Sequence, residues 1–224
     1  MIKLGSESKS NKLKKCNTDS SSTILMFTNA GNVIKIPAFV LENINSEGIN
    51  IASFNDEFKE KDEKILNVIS INNFSQNIDV IFFTQKGYVK KTSISEFCGD
   101  YSSTLVYRFR GENDSLIDVE FVSSEGDYDI ILVTTKAMCI RFKGETVNYM
   151  GKVASGVTGI SLTEDDYVVH GFVNNNNKEL ELKSKGKQVK TVPLEEIKVQ
   201  NRAGRGKNIM LVVLGDYVVD VKLK

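Results

Sequence analysis

ILMFTNAGNVIK (Ile24–Lys35), VIFFTQKGYVKK (Val80–Lys91), IILVTTKAMCIR (Ile130–Arg141) and LELKSKGKQVK (Leu180–Lys190) are four versions of one unit, recurring roughly every 50 residues. Each is an apolar strand, a tight turn and a second strand that opens on a basic residue. The turn position reads Gly31, Gly87, Ala137 and Gly186, and a cation follows four residues later in every copy: Lys35, Lys91, Arg141 and Lys190. Packing explains the apolar runs but not a cation at a fixed offset. A ring of repeated basic positions suits a repeating polyanion, so the pattern points to nucleic acid.

From Thr23 onward the chain reads as β almost throughout. Short runs of Val, Ile, Phe, Thr and Tyr are punctuated by Asn, Gly, Ser and Asp. Hairpins are expected between VISI (Val68–Ile71) and DVIFFT, between DVEFV (Asp118–Val122) and DIILVTT, between YVVHGFV (Tyr167–Val173) and ELELK, and between IMLVVL and YVVDVKL. Short helical turns are expected at Pro37–Glu42, Ser93–Phe97 and Pro193–Ile197. Four-stranded units at this period predict an all-β, propeller-like disc of about four to five four-stranded blades. Residues 1–22, rich in Ser, Lys and Asn, read as a flexible arm, and residues 23–224 as one domain.

Composition narrows the classes. The 224 residues carry 29 basic and 29 acidic side chains, a net charge of zero, so any polyanion must be met by local clustering and not by overall charge. No apolar run approaches the ~18–20 residues of a membrane-spanning helix. The N-terminus MIKLGSESKSNKLKKC lacks the apolar stretch of a secretory signal. Three widely spaced cysteines, Cys16, Cys98 and Cys139, fit free thiols in a reducing cytoplasm and argue against zinc.

The sharpest local motif is Gln200-Asn201-Arg202-Ala203-Gly204-Arg205-Gly206-Lys207. Small residues alternate with cations there, so backbone can approach a phosphate while guanidinium groups grip it. In this motif, in Thr28–Gly31 with Lys35, in Thr84–Gly87 with Val89, Lys90 and Lys91, and in Met150-Gly151-Lys152, Gly156-Val157 and Gly159-Ile160, the chain resembles the C-terminal domain of the A subunit of bacterial type IIA topoisomerases, DNA gyrase and topoisomerase IV. That family's gyrase box reads Q-(R/K)-R-G-G-(R/K)-G. Gln200, Arg202, Gly204, Arg205 and Gly206 match it, Asn201 replaces a cation and Ala203 a glycine. The family's box lies in its first blade, whereas the stretch here lies in the last repeat.

The resemblance implies a β-pinwheel with a basic rim that binds and bends double-stranded DNA through its phosphates. Lys35, Lys90, Lys91, Arg141, Lys190, Gln200, Arg202, Gly204, Arg205, Gly206 and Lys207 would make the contacts. It further implies a nucleoid-associated cytoplasmic protein without a cofactor of its own. Its partners would be the catalytic part of the A subunit and the separate ATPase subunit of the holoenzyme, with DNA cleavage carried out elsewhere. The alternative is a propeller-like module that binds protein, favoured by net neutrality and by the acidic stretches Asp56–Glu63 and Glu112–Asp118.

No catalytic constellation competes with these readings. Gly151–Gly156 lacks the Lys-Ser/Thr of a phosphate loop, and Ser155 is not in a G-x-S-x-G setting. His170, the only histidine, falls inside a β run, and Glu164-Asp165-Asp166 reads as a polar turn.

Overall fold

The computed structural model describes residues 14–42, 44, 48, 50–55, 58 and 62–224. Most of the arm and of the Asp56–Glu63 stretch therefore lies outside the described residues. Fifteen strands are assigned: β1 (Thr23–Thr28), β2 (Asn32–Pro37), β3 (Ile65–Ile71), β4 (Ile78–Thr84), β5 (Tyr88–Ser93), β6 (Ser103–Leu105), β7 (Leu116–Ser123), β8 (Asp129–Thr134), β9 (Met138–Lys143), β10 (Val157–Thr158), β11 (Val168–Asn174), β12 (Glu179–Ser184), β13 (Val189–Pro193), β14 (Lys207–Asn208) and β15 (Val218–Leu223). They form four antiparallel blades, ordered β3-β1-β2-β6, β7-β4-β5-β10, β11-β8-β9-β14 and β15-β12-β13. The fourth blade thus has three strands among the described residues, not the expected four.

The hairpins are those of the repeated unit itself: β1–β2, β4–β5, β8–β9 and β12–β13. The four hairpins expected from neighbouring apolar runs do not form. β3 and β4, for example, pair in different sheets, so NNFSQNI is a bridge between blades. Residues 209–214 lie outside the assigned strands. The outer strand of each complete blade comes from the following repeat: β6 pairs with β2, β10 with β5 and β14 with β9. A strap of each repeat therefore completes the blade before it. Short 3-10 turns at Ala38–Leu41, Ile94–Phe97, Gly144–Thr146 and Leu194–Glu196 follow the second strand of every hairpin.

Blade-to-blade stacking explains the strand sequences. β1, β4 and β8 are covered on both faces, so they read as continuous apolar runs and not as alternating ones. Leu25 and Phe27 meet Val80 and Phe82, Ile81 and Phe83 meet Ile130 and Leu132, and Ile131 and Val133 meet Leu180 and Leu182. β12 instead alternates buried and more exposed positions, because its second face meets no further blade among the described residues. The opposite end is closed differently. The outer face of the first blade, Ile24, Met26, Ile34 and Ile36, is covered by Cys16, Leu41, Ile51, Phe54 and Phe58. Before β1, Ser22 Oγ bonds Asp19 and Asn72, which fastens the last residues of the arm to the end of β3.

The innermost strands β3, β7, β11 and β15 pack in succession, and a polar residue from each occupies one register: Asn67, Asp118, His170 and Asp220. Asn67 Nδ2 donates to the Val119 carbonyl at 2.7 Å. His170 sits 3.1 Å from Asp118 and 3.6 Å from Asp220, a link between three blades.

Candidate nucleic-acid interface

The repeated cations do not form a free rim. Lys35 Nζ donates to the Gly99 carbonyl at 2.5 Å and lies 4.7 Å from the Phe74 ring and 4.9 Å from that of Tyr101. Lys91 is buried, its Nζ 3.4 Å from the Gly144 carbonyl and 4.6 Å from the Tyr149 ring. Arg141 donates to Leu194 O at 2.8 Å and pairs with Asp129 at 2.5 Å. Each of the three reaches the 3-10 turn, or the residues just after it, of the next repeat. The constant offset is thus the signature of a tether between blades, and the expected phosphate contacts of Lys35, Lys91 and Arg141 give way to it.

Lys90 departs further from the expectation. It is fully buried, donating to Val106 O at 2.5 Å and Lys152 O at 2.7 Å. Burial pushes its amine down to about 7, opposed by the nearby Glu96 carboxylate. A lysine in that setting holds three chain segments together and cannot reach a phosphate.

The fourth repeat is offset by one residue from its reading in the sequence. The left-handed turn residue is Gly31, Gly87 and Ala137 in the first three hairpins but Lys187, not Gly186, in the fourth. Thr191, opposite Glu181, therefore holds the tether position that Lys35, Lys91 and Arg141 hold opposite Leu25, Ile81 and Ile131. Lys190 corresponds to Ile34, Lys90 and Ile140 and is exposed.

The box-like stretch Gln200–Lys207 is the strap of the last repeat, laid across the third blade. Gln200 N donates to Arg141 O at 2.8 Å, Ala203 N to Gly159 O at 2.9 Å, and Ser161 N to Gly204 O at 2.9 Å. Arg202 is spent on this attachment: Nη1 donates to Thr158 O at 2.6 Å and Nε to Thr146 O at 3.3 Å. Gly206 has φ +74, and a Cβ there would lie 2.5 Å from the Cys139 carbonyl, so the close approach requires glycine. Arg205 and Lys207 are exposed beside these anchors and make no ion pair or side-chain hydrogen bond among the described residues, as is also true of Lys187, Lys190 and Lys198. These five cations lie on the last strap, on the β12–β13 hairpin and on the segment that joins them.

Acidic side chains that stood out in the sequence serve the fold. Asp166 Oδ1 accepts from Thr135 Oγ1, Lys136 N and Tyr167 N, which closes the hairpin turn of the third blade. Asp114 and Asp216 do the same for the second and fourth through Lys86 N and Gly186 N. These caps escaped the sequence reading, although an Asp two residues before each of the last three inner strands was a visible signal.

Comparison with known proteins agrees with this architecture. The family model described as the DNA gyrase C-terminal domain, beta-propeller, matches residues 22–72, 79–97, 128–175 and 188–223. The chain is 33% identical over 190 residues to the A subunit of DNA topoisomerase 4 from Bacillus subtilis (strain 168), covering 84% of this chain and 23% of that protein. It is 32% identical over 187 residues to the DNA gyrase A subunit of a Staphylococcus epidermidis strain, covering 82% of this chain and 21% of that protein. It therefore spans less than a quarter of the length of these relatives. The crystal structure of the C-terminal domain of DNA topoisomerase IV superimposes with a TM-score of 0.86 at 25% identity, over 95% of this chain and 66% of that one. With its strap-completed blades and a family match over most of its length, the chain belongs to the DNA gyrase C-terminal β-propeller family.

Proposed function

We propose that the chain binds double-stranded DNA through its phosphates and curves it, presenting a segment for strand passage. Strand passage itself would be carried out by the catalytic part of a type IIA topoisomerase A subunit together with the separate ATPase subunit. One observation carries the reading: Arg202 fixes the last strap from beneath, while Arg205 and Lys207 stand unengaged on the same strap. Lys187, Lys190 and Lys198 are further exposed cations of the same repeat. Gly206 lets the strap lie close against Cys139, Gly204 sits beside Ile140, and Gln200 supplies an amide at the strap's start. Phosphate contacts of this kind carry no base information, so selectivity comes from DNA bendability. Curving a 20–30 base-pair site costs on the order of 1–6 kcal/mol, which several simultaneous cation contacts can offset.

With the box-like strap in the last repeat and not the first, bending of the topoisomerase IV type is the reading we favour over chiral wrapping. The test is binding to nicked circular duplex, followed by sealing and measurement of the linking number. Binding that weakens steeply with salt and leaves the linking number unchanged is the expected result. A shift abolished by Arg202→Ala plus Arg205→Ala would replace bending with wrapping, and a salt slope near zero would overturn DNA binding altogether.

A further inference from the structure

The fourth blade has the receiving site for a strap but none among the described residues. In the first three blades, Val33, Val89 and Cys139 pair with Thr104, Val157 and Lys207 of the incoming strap and are completely buried in the cluster shared with the next blade. The equivalent Val189, opposite Lys183 on the face that meets no further blade among the described residues, has no strap partner there and is 57% exposed. The carbonyl of the left-handed turn residue also recurs as an acceptor. Gly31 O takes Val106 N and Tyr107 N, Gly87 O takes Gly159 N and Ile160 N, and Ala137 O takes Ile209 N. The equivalent Lys187 carbonyl receives no such donor among the described residues.

The loop beside this edge has an unusual composition. In the second and third repeats the residue that donates its N–H to the next strap is Arg108, to Ala154 O, and Ser161, to Gly204 O. The corresponding residue of the last repeat is Leu211. Val213 stands where Thr163 does and Leu214 where Glu164 does. Leu211 is 85% exposed and Leu214 fully so. Positions that are polar where the junction is filled are apolar where it is empty, the reverse of a solvent-facing design. Contiguous exposed apolar side chains of this sort mark a contact surface.

We infer that the outer edge of β13, with Val189, Leu211 and Val213, takes up a single extended segment of another polypeptide, apolar at its centre and acidic at its flanks, added as the fourth strand of the last blade. Strand addition to an open sheet edge draws affinity from main-chain bonds and specificity from side-chain sites. Three features select this occupant. The three filled junctions show that the edge accepts a short strap. Lys187 and Lys190 on the hairpin favour acids at its flanks, and they disfavour β13 pairing with itself in a second copy, which would set lysine against lysine. Stacking of a whole further blade is disfavoured as well. Glu181 and Lys183 occupy the face that Leu25 and Phe27 provide in the first junction, and Thr191 lacks the tether that a following 3-10 turn would receive.

The test uses the full chain and a fluorescent peptide with the sequence of residues 154–162, itself the strap of a filled junction, flanked on each side by two glutamates. Saturable binding is expected, with new hydrogen-exchange protection at Val189. Leu211→Ser and Val213→Thr, which install the residues of the third repeat, should each weaken binding at least tenfold while leaving the thermal melting temperature and the DNA affinity unchanged. Peptide binding indifferent to both substitutions, or absent while the chain remains folded and binds DNA, overturns the inference without touching the DNA reading. Concentration-dependent self-association lost on Leu211→Ser would overturn it too, since the occupant would then be a second copy.

Discussion

The guanidinium of Arg141, in the third blade, donates to the carbonyl of Leu194 at the head of the fourth repeat's 3-10 turn, 2.8 Å away. One side chain thereby links the Asp129 carboxylate of its own hairpin to the backbone of the next. Arg141→Ala removes the charge-assisted bonds and leaves Asp129 with Lys143 as its remaining cationic partner. A loss of about 2–3 kcal/mol in urea denaturation is expected, with no change in the salt dependence of DNA binding by the folded variant. A variant of wild-type stability would show that the tether contributes nothing.

Arg202 and Arg205, three residues apart, should behave oppositely. Arg205→Ala together with Lys207→Ala should lower the slope of log affinity against log salt by about 2 and leave stability within about 0.5 kcal/mol of wild type. Arg202→Ala should mainly destabilise the strap, read as faster hydrogen exchange at Ala203 and Lys207.

Gly48 and Gly206 both follow a 3-10 turn, by seven and ten residues, and both have positive φ, +82 and +74. Of the two, only Gly206 packs against a strand of another blade among the described residues. A Cβ at Gly48 would meet nothing within 4 Å, so Gly48→Ala should cost only the backbone strain, about 1 kcal/mol. Gly206→Ala adds the clash with Cys139 O and should cost about 3 kcal/mol or more. Equal melting temperatures for the two variants would contradict the strap geometry.

Lys90 makes stability depend on pH. Its amine titrates near 7 when folded and at 10.5 in an ordinary setting, so between these values the unfolded chain binds the proton that the folded chain has released. Stability contributed by this group therefore rises with pH from about 7 toward 10.5, and below about 7 the full cost of burying the charge is present. The difference in unfolding free energy between wild type and Lys90→Met should climb between pH 7 and 9 by up to about 1.4 kcal/mol per unit. A constant difference would mean that the carbonyls of Val106 and Lys152 keep the ammonium charged.

Burial pushes the Cys139 thiol up to about 12, with nearby Arg141 acting weakly in the other direction, whereas Cys98 is exposed. Alkylation of the native protein at pH 8 should modify Cys98 quickly and Cys139 only after denaturation. Rapid native labelling of Cys139 would show that the last strap leaves the third blade readily.

The repeated hairpins, the turns of the first three and three of the 3-10 turns were legible in the sequence, because runs such as VIFFT and the residues after them are local signals. The destination of the strap was not. Lys207 pairs with Cys139, 68 residues earlier, and two-residue strands such as Val157–Thr158 carry no periodicity. The tethering role of the cations was not legible for the same reason, since the acceptors of Lys91 and Arg141 lie 53 residues further on. In the last repeat Gly186 drew the eye from Lys187, whose φ of +68 is the actual turn. Glycine is the usual left-handed residue, and here a lysine takes the strain. The polar alternation of ELELK, by contrast, matches a strand with one face uncovered among the described residues.

Strap exchange also sets a timetable for synthesis. The sheet of the first blade cannot close until Leu105 has been made, that of the second waits for Thr158, and that of the third for Asn208. Each blade thus spends the making of roughly the next repeat with an open edge, exposed to wrong partners on the ribosome. The protein matures in a relay, one hairpin behind the growing end.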